Sequence, residues 1–215
     1  EIPTLLTRYI IIGARNLGRE VFSLATQCEG YGSEWDVAGF LDDKPDALRG
    51  KGLPVGVLGS AEEWNPAPDE RFVCALGDPE HKSRYVRMIQ EKGGVFGRLI
   101  HPSCIVNHGV QVGEGSILYN HCVVSNQVRV GDHVTLQSFS VLGHDSVVGD
   151  FSHLSAYTFL GGGVVLKNRV TTGTRATVLP NVTVNQGATI GASALVVRNV
   201  DPGCTVFGIP ATNLS

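Results

Sequence analysis

From Ile100 to Val196 an aliphatic residue recurs at every sixth position, seventeen stations in which Thr172 alone replaces Ile, Leu or Val. The residue after a station is often glycine (Gly113, Gly131, Gly143, Gly149, Gly161, Gly173, Gly191), and two before it stands a small or β-branched residue such as Ser140, Ser152, Thr158 or Ala176. A period of six is neither the 3.6 of a helix nor the 2 of a plain strand. It describes a short strand and a turn, with one aliphatic side chain pointing inward and a small neighbour where the chain bends. Three units close a triangular coil of eighteen residues, and coils must stack to bury their cores. The register does not slip between 100 and 196, so no long loop interrupts the coils. A site on such a solenoid has to lie on its outer surface, in a cleft against another copy, which predicts an oligomer.

The first 98 residues have a different grammar. Arg8-Tyr9-Ile10-Ile11-Ile12, Val37-Ala38-Gly39-Phe40-Leu41 and Phe72-Val73-Cys74-Ala75-Leu76 read as buried strands. A helix is predicted from Leu17 to about Cys28, and another opens at Asp78-Pro79-Glu80, where Asp caps and Pro suits the first helical position. Strands alternating with helices imply a parallel sheet. The fold class predicted is therefore an α/β Rossmann-like domain over 1–98 followed by a parallel β-helix of hexapeptide repeats over 99–215.

A net charge of −3 argues against a general binder of nucleic acid or anionic membrane. No stretch approaches the ~20 apolar residues of a membrane span, and the start shows no signal-peptide pattern. Glu1-Ile2-Pro3-Thr4 lacks an initiator Met and reads as a trimmed or engineered start. The five cysteines, Cys28, Cys74, Cys104, Cys122 and Cys204, show neither CxxC nor zinc spacing and read as reduced thiols of a cytoplasmic protein.

Gly13-Ala14-Arg15-Asn16-Leu17-Gly18 follows a strand and opens a helix, where a phosphate meets a helix N-terminus. It keeps the outer glycines of G-x-G-x-x-G but has Arg15 in place of the middle one, so a charged contact replaces close backbone approach. Asp42, Asp43 and Gly77 end the other strands on the same rim, where such folds hold nucleotides; a solvated turn is the plain alternative. The solenoid carries His101, His108, His121, His133, His144 and His153, most of them expected on its outer face. His144 lies two residues past inward Leu142 with Asp145 beside it, which suits a general base with an orienting carboxylate, although such neighbours also arise by chance. No histidine pair has close ligand spacing, so no metal is expected.

Together, Tyr9-Ile10-Ile11-Ile12-Gly13-Ala14, Gly39-Phe40-Leu41-Asp42-Asp43, Ala75-Leu76-Gly77-Asp78, Leu99-Ile100-His101-Pro102, Gly143-His144-Asp145, Gly149-Asp150-Phe151-Ser152-His153-Leu154-Ser155, Val178-Leu179-Pro180-Asn181 and Gly208-Ile209-Pro210-Ala211 resemble the NeuD/PglD-type sugar acetyltransferases over nearly the whole chain. The resemblance implies a left-handed β-helix, a homotrimer, and an acetyl-CoA-dependent transfer to the amine of a nucleotide-linked amino sugar in bacterial surface-glycan synthesis. It implies His144 as base with Asp145, contacts to acetyl-CoA from His153, Gly162, Thr174 and Ala192, and a nucleotide-sugar site at Arg15, Asn16, Leu17, Asp42, Asp43 and Gly77. The chain departs from the family at Asn16-Leu17, where a Gly-His pair is usual, and at Thr212, where a basic residue often follows. Alternatives of other kinds are O-acetylation of sialic acid or a related sugar, a non-catalytic trimeric scaffold with a ligand-sensing domain, and a metal-dependent hydratase.

Overall fold

The computed structural model describes residues 6–214, so the opening Glu1-Ile2-Pro3-Thr4 lies outside it. The chain divides into two compact units that meet between Leu99 and Ile100.

The first unit contains β1 (Thr7–Ile12), α1 (Asn16–Ala25), β2 (Trp35–Leu41), β3 (Val57–Gly59), β4 (Glu70–Cys74) and α2 (Pro79–Glu91). Its sheet runs β3-β2-β1-β4 and every pairing is parallel. Both faces of the sheet are covered, which is why the strands are apolar runs instead of alternating ones. Ile10, Ile11, Phe40, Phe72 and Val73 are wholly buried. α1 buries Val21, Phe22, Leu24 and Ala25, and α2 buries Val86 and Ile89. The Asp78 carboxylate accepts the His81 N–H at 2.8 Å and caps α2, with Pro79 next to it. Two boundaries and one element differ from the sequence expectation. α1 ends at Ala25 and not near Cys28, and β4 ends at Cys74 because the chain turns there toward the α2 cap. β3 was not foreseen: three residues among Gly and Pro are too few to show a period.

The second unit is a left-handed parallel β-helix of two-residue strands, closed by the three-residue strand Thr205–Phe207 and the antiparallel strand Thr212–Asn213. The strands form three faces. The first starts at Leu99–Ile100 and has eight strands, the second starts at Ile105–Val106 and has six, and the third starts at Gln111–Val112 and has five. From Leu118 to Val196 every station of the six-residue period is buried. Thr172 can stand among them because its hydroxyl pairs with the buried Thr158 hydroxyl at 2.7 Å. Ile100 and Val112 are only half-buried and Val106 is 44% exposed, since Ile105–Val106 ends its face and is paired on one side alone. After Val196 the period stops; Val200 and Val206, both 4% exposed, close the core.

The turns follow a rule the sequence did not announce. Every residue three past a station, from Gly109 to Ser193, has positive φ, and eleven of these are not glycine. A non-glycine residue there costs roughly 1–2 kcal/mol. The stack offsets that cost, because these N–H groups reach carbonyls of the preceding coil, as Asp145 to Asn126 at 3.0 Å and Tyr157 to Ser138 at 3.0 Å, except that of His121, which donates to the Ser103 hydroxyl at 2.9 Å.

Candidate functional sites

In the first unit, the ends of β1, β2 and β4 and the starts of α1 and α2 surround a cavity of about 470 Å³. Arg15, Asn16, Leu17, Asp42, Asp43 and Gly77 all line it. The loop is shaped by its outer glycines. Gly13 has φ +92°, and a Cβ on Gly18 would lie 1.9 Å from the Gly13 carbonyl oxygen, so no other residue lets the helix sit this close to the strand. Arg15 is the N-cap of α1 and makes no side-chain cap, which leaves the first helical N–H groups directed at the cavity with an exposed guanidinium beside them.

The two aspartates are used differently. Asp42 accepts the Ala14 N–H at 2.9 Å through one oxygen and the Lys44 N–H at 3.0 Å through the other. Its carboxylate therefore holds the glycine loop and its own turn. Asp43 accepts the Tyr85 hydroxyl at 2.5 Å, and that bond pushes the Tyr85 phenol up to about 12. Sequence reasoning missed His81, Arg84 and Tyr85, which also line the cavity. The signal was present: spacings of three and four on a helix capped at Asp78 put all three on one face.

In the second unit, His144 and Asp145 lie on the corner between the second and third faces, with side chains 72% and 66% exposed. Nδ1 of His144 is 2.8 Å from Oδ2 of Asp145. With the carboxylate ionised, Nδ1 carries the proton and Nε2 keeps its lone pair. Asp145 is one of the left-handed turn residues, with φ 59°. One coil later on the same corner stand Gly161, Gly162 and Gly163. A Cβ on Gly162 would lie 2.5 Å from Nε2 of His144, so any other residue there would push the ring out of this position. The corner thus joins an exposed imidazole to bare backbone.

The other expected residues lie elsewhere on the triangle. Thr174 and Ala192 are exposed and stacked on the corner between the first and second faces, where Thr174 O accepts the Ser193 N–H at 2.9 Å. His153 is on the first face between Thr135 and Thr171. It is 8% exposed and His133 is 3% exposed, so neither is the solvated outer histidine that the period suggested. His133 stacks on Phe151 at 5.0 Å, and the turn geometry that aligns successive coils makes that stacking possible. The same alignment builds the column His121, Phe139, Tyr157 and Arg175 beside Thr174, with centroid spacings of 5.1 and 5.0 Å between the rings. Among the described residues, no group of three His, Cys, Asp or Glu is arranged to hold a metal, and no helix is long and apolar enough to cross a membrane.

Residues 8–89 match the family model of the PglD N-terminal domain. The chain is similar to PerB from Caulobacter crescentus, solved with CoA and GDP-perosamine, with 26% identity, a TM-score of 0.88 and coverage of 98% of this chain and 99% of that one. It is equally similar to the acetyltransferase domain of PglB from Neisseria gonorrhoeae FA1090, solved with acetyl coenzyme A, with 26% identity, a TM-score of 0.88 and coverage of 98% and 100%. A serine acetyltransferase of Buchnera aphidicola is 40% identical over 47 residues, which span 22% of this chain and only 18% of that protein.

Proposed function

We propose, from the premise that this chain belongs to the NeuD/PglD-type sugar acetyltransferases, that it transfers an acetyl group from acetyl-CoA to the amine of a nucleotide-linked amino sugar. The observation that carries this reading is the trio of Asp145, His144 and Gly162 on one outer corner of the solenoid. Asp145 fixes the tautomer and orientation of the ring. Nε2 of His144 takes the proton that the sugar amine loses as its nitrogen attacks the thioester carbonyl. The N–H of Gly162 supports the negative charge that develops on the carbonyl oxygen; as the intermediate collapses the C–S bond breaks, and the departing CoA thiolate takes the proton held on His144 to leave as the free thiol. Proton transfer of this kind is typically worth ~10²–10⁴ in rate, and an oxyanion donor a further ~10²–10³.

The run Gly161-Gly162-Gly163 suits a narrow pantetheine arm, since it offers backbone without side chains next to the imidazole. His153, Thr174 and Ala192 would meet the same donor from another chain. In one chain they occupy the first face and a different corner from His144, and a neighbouring copy in a homotrimer supplies the missing wall. The cavity of the first unit suits the nucleotide: its helix N-terminus, Arg15 and Arg84 complement phosphates, and Asp43 with Tyr85 offers hydrogen-bonding groups to a base or sugar. The place of the reaction in bacterial surface-glycan synthesis follows from the class of acceptor.

The test is a pair of measurements on the full-length chain. Thermal shift is recorded with CoA and with UDP-, dTDP-, GDP- and CMP-linked amino sugars, since a ligand at ~100 times its Kd stabilises by about 2.7 kcal/mol. Release of free CoA thiol is then followed with acetyl-CoA and whichever sugar binds. Stabilisation by CoA and thiol release dependent on an amino sugar support the proposal. Transfer to a hydroxy sugar in place of an amino sugar would replace it with O-acetylation, and no CoA binding at millimolar concentration would end it in favour of a scaffold.

A further inference from the structure

The first two coils of the solenoid hold a pair of thiols that the acetyl-transfer reading does not use. Ile105 pairs in parallel register with Val123, and the Ile105 N–H donates to the Cys122 carbonyl at 2.9 Å. Cys104 therefore lies one coil before Cys122 at the same place in the repeat, two residues before a station. Neighbouring strands are ~4.8 Å apart, inside the ~4.4–6.8 Å Cα separation that a disulfide spans. Both thiols are free, Cys122 buried and Cys104 half-buried. They point into the same corner, Cys104 Sγ 2.9 Å from the Tyr119 carbonyl and Cys122 Sγ 3.3 Å from that of Gln137.

We propose that Cys104 and Cys122 form a peroxide-sensitive dithiol that closes to a disulfide across the first two coils. A hydrogen bond between the two thiols lowers Cys104 below the ordinary thiol range and raises Cys122. Cys104, the more accessible of the two, is thus the attacking group and Cys122 the resolving one. The Cys104 thiolate attacks one oxygen of hydrogen peroxide, breaks the O–O bond and becomes a sulfenic acid, and the leaving hydroxide takes a proton to form water. The Cys122 sulfur then attacks the Cys104 sulfur, the S–S bond forms, and the sulfenic oxygen leaves as a second water with the Cys122 proton. Two thiols and one peroxide give one disulfide and two waters. The link would tie down the coil whose Ile105 and Val106 are 57% and 44% exposed and whose second-face strand is paired on one side. The remaining thiols are placed differently: Cys28 and Cys74 are buried in the first unit, and Cys204 belongs to the closing coil.

Serine is a compatible replacement at these positions, because Ser116 and Ser140 already fill equivalent ones and bond to carbonyls of the next coil at 2.8 and 3.2 Å. The experiment oxidises the full-length protein with hydrogen peroxide, alkylates it, and maps unreduced peptides. The five free thiols fall to three, a single intrachain Cys104–Cys122 link appears, and dithiothreitol restores all five. In Cys122→Ser the link is lost and dimedone traps a sulfenic acid at Cys104. Five thiols surviving peroxide, a link to any other cysteine, a link between chains, or oxidation beyond sulfenic acid without a link would each overturn the proposal. The map of the unmutated protein decides the question even if the variant fails to fold.

Discussion

Asp145 shows how one residue serves the fold and the site together. Its left-handed φ of 59° belongs to the turn ladder, while its carboxylate holds the ring of His144 at 2.8 Å. Asp tolerates that conformation better than most side chains, so a turn position could be given to an acid at small cost. The neighbouring Gly162 is the sharper test of geometry. In Gly162→Ala the new methyl must displace the imidazole, because its Cβ would come 2.5 Å from Nε2. Turnover should fall by roughly 10²-fold, the cost of about 1 Å of misplacement, with the melting temperature little changed because the ring can swing into solvent. Normal turnover would show that the ring does not work from this position. The sequence displayed the adjacent pair His144-Asp145, but adjacency alone could not give the turn that lets the two side chains meet. Nor could it bury His153, whose surroundings are strands eighteen residues away on either side.

At the scale of the element, the solenoid was readable because one inward aliphatic per six residues is a strong signal repeated many times. What the period left out was the polar register beside it. The buried Thr158–Thr172 hydroxyl pair and the run of positive φ values depend on neighbours one coil away, which a linear reading cannot rank. In the first unit the long apolar strands were legible and β3 was not, since its three residues sit on the sheet edge with little apolar surface to bury. The stack also makes each core residue answer to the coils on both sides. Leu136 is wholly buried, and its strand bonds to Ile117–Leu118 and His153–Leu154. Leu136→Ala should cost ~2–5 kcal/mol, seen as a lower urea midpoint with an unchanged m-value. A loss below the range of an ordinary surface substitution would mean the coils close over the gap.

At the scale of the molecule, the proposed function assigns each unit a different part of the reaction: the cavity of the first to the nucleotide, the exposed imidazole of the second to the proton. The homotrimer proposed for the donor site predicts a mass in light scattering three times that of the chain, and a monomer would contradict it. Stability against pH probes the first unit. Lys82 is fully buried on α2, and burial lowers its ammonium to about 8. Between about 8 and its ordinary 10.5 the unfolded chain holds a proton that the folded chain has released, so Lys82 makes stability rise with pH there. Cys74, raised by burial to about 12 from 9.0, keeps a proton that the unfolded chain loses, so its contribution falls above about 9. The rising limb is therefore expected between about 8 and 9, at up to ~1.4 kcal/mol per pH unit. In Lys82→Met this lysine contribution is absent, and an identical pH profile in urea unfolding would contradict the burial of the charge.

The central claim is that the imidazole on the outer corner removes the proton of the attacking amine. It is tested most directly by the turnover of His144→Ala with acetyl-CoA and the preferred nucleotide-linked amino sugar, measured as CoA release at saturating substrates. The account predicts a fall in kcat of ~10²–10⁴, with the melting temperature and the CoA Kd near those of the unmutated protein. A variant that folds, binds both substrates and turns over at the original rate would contradict it.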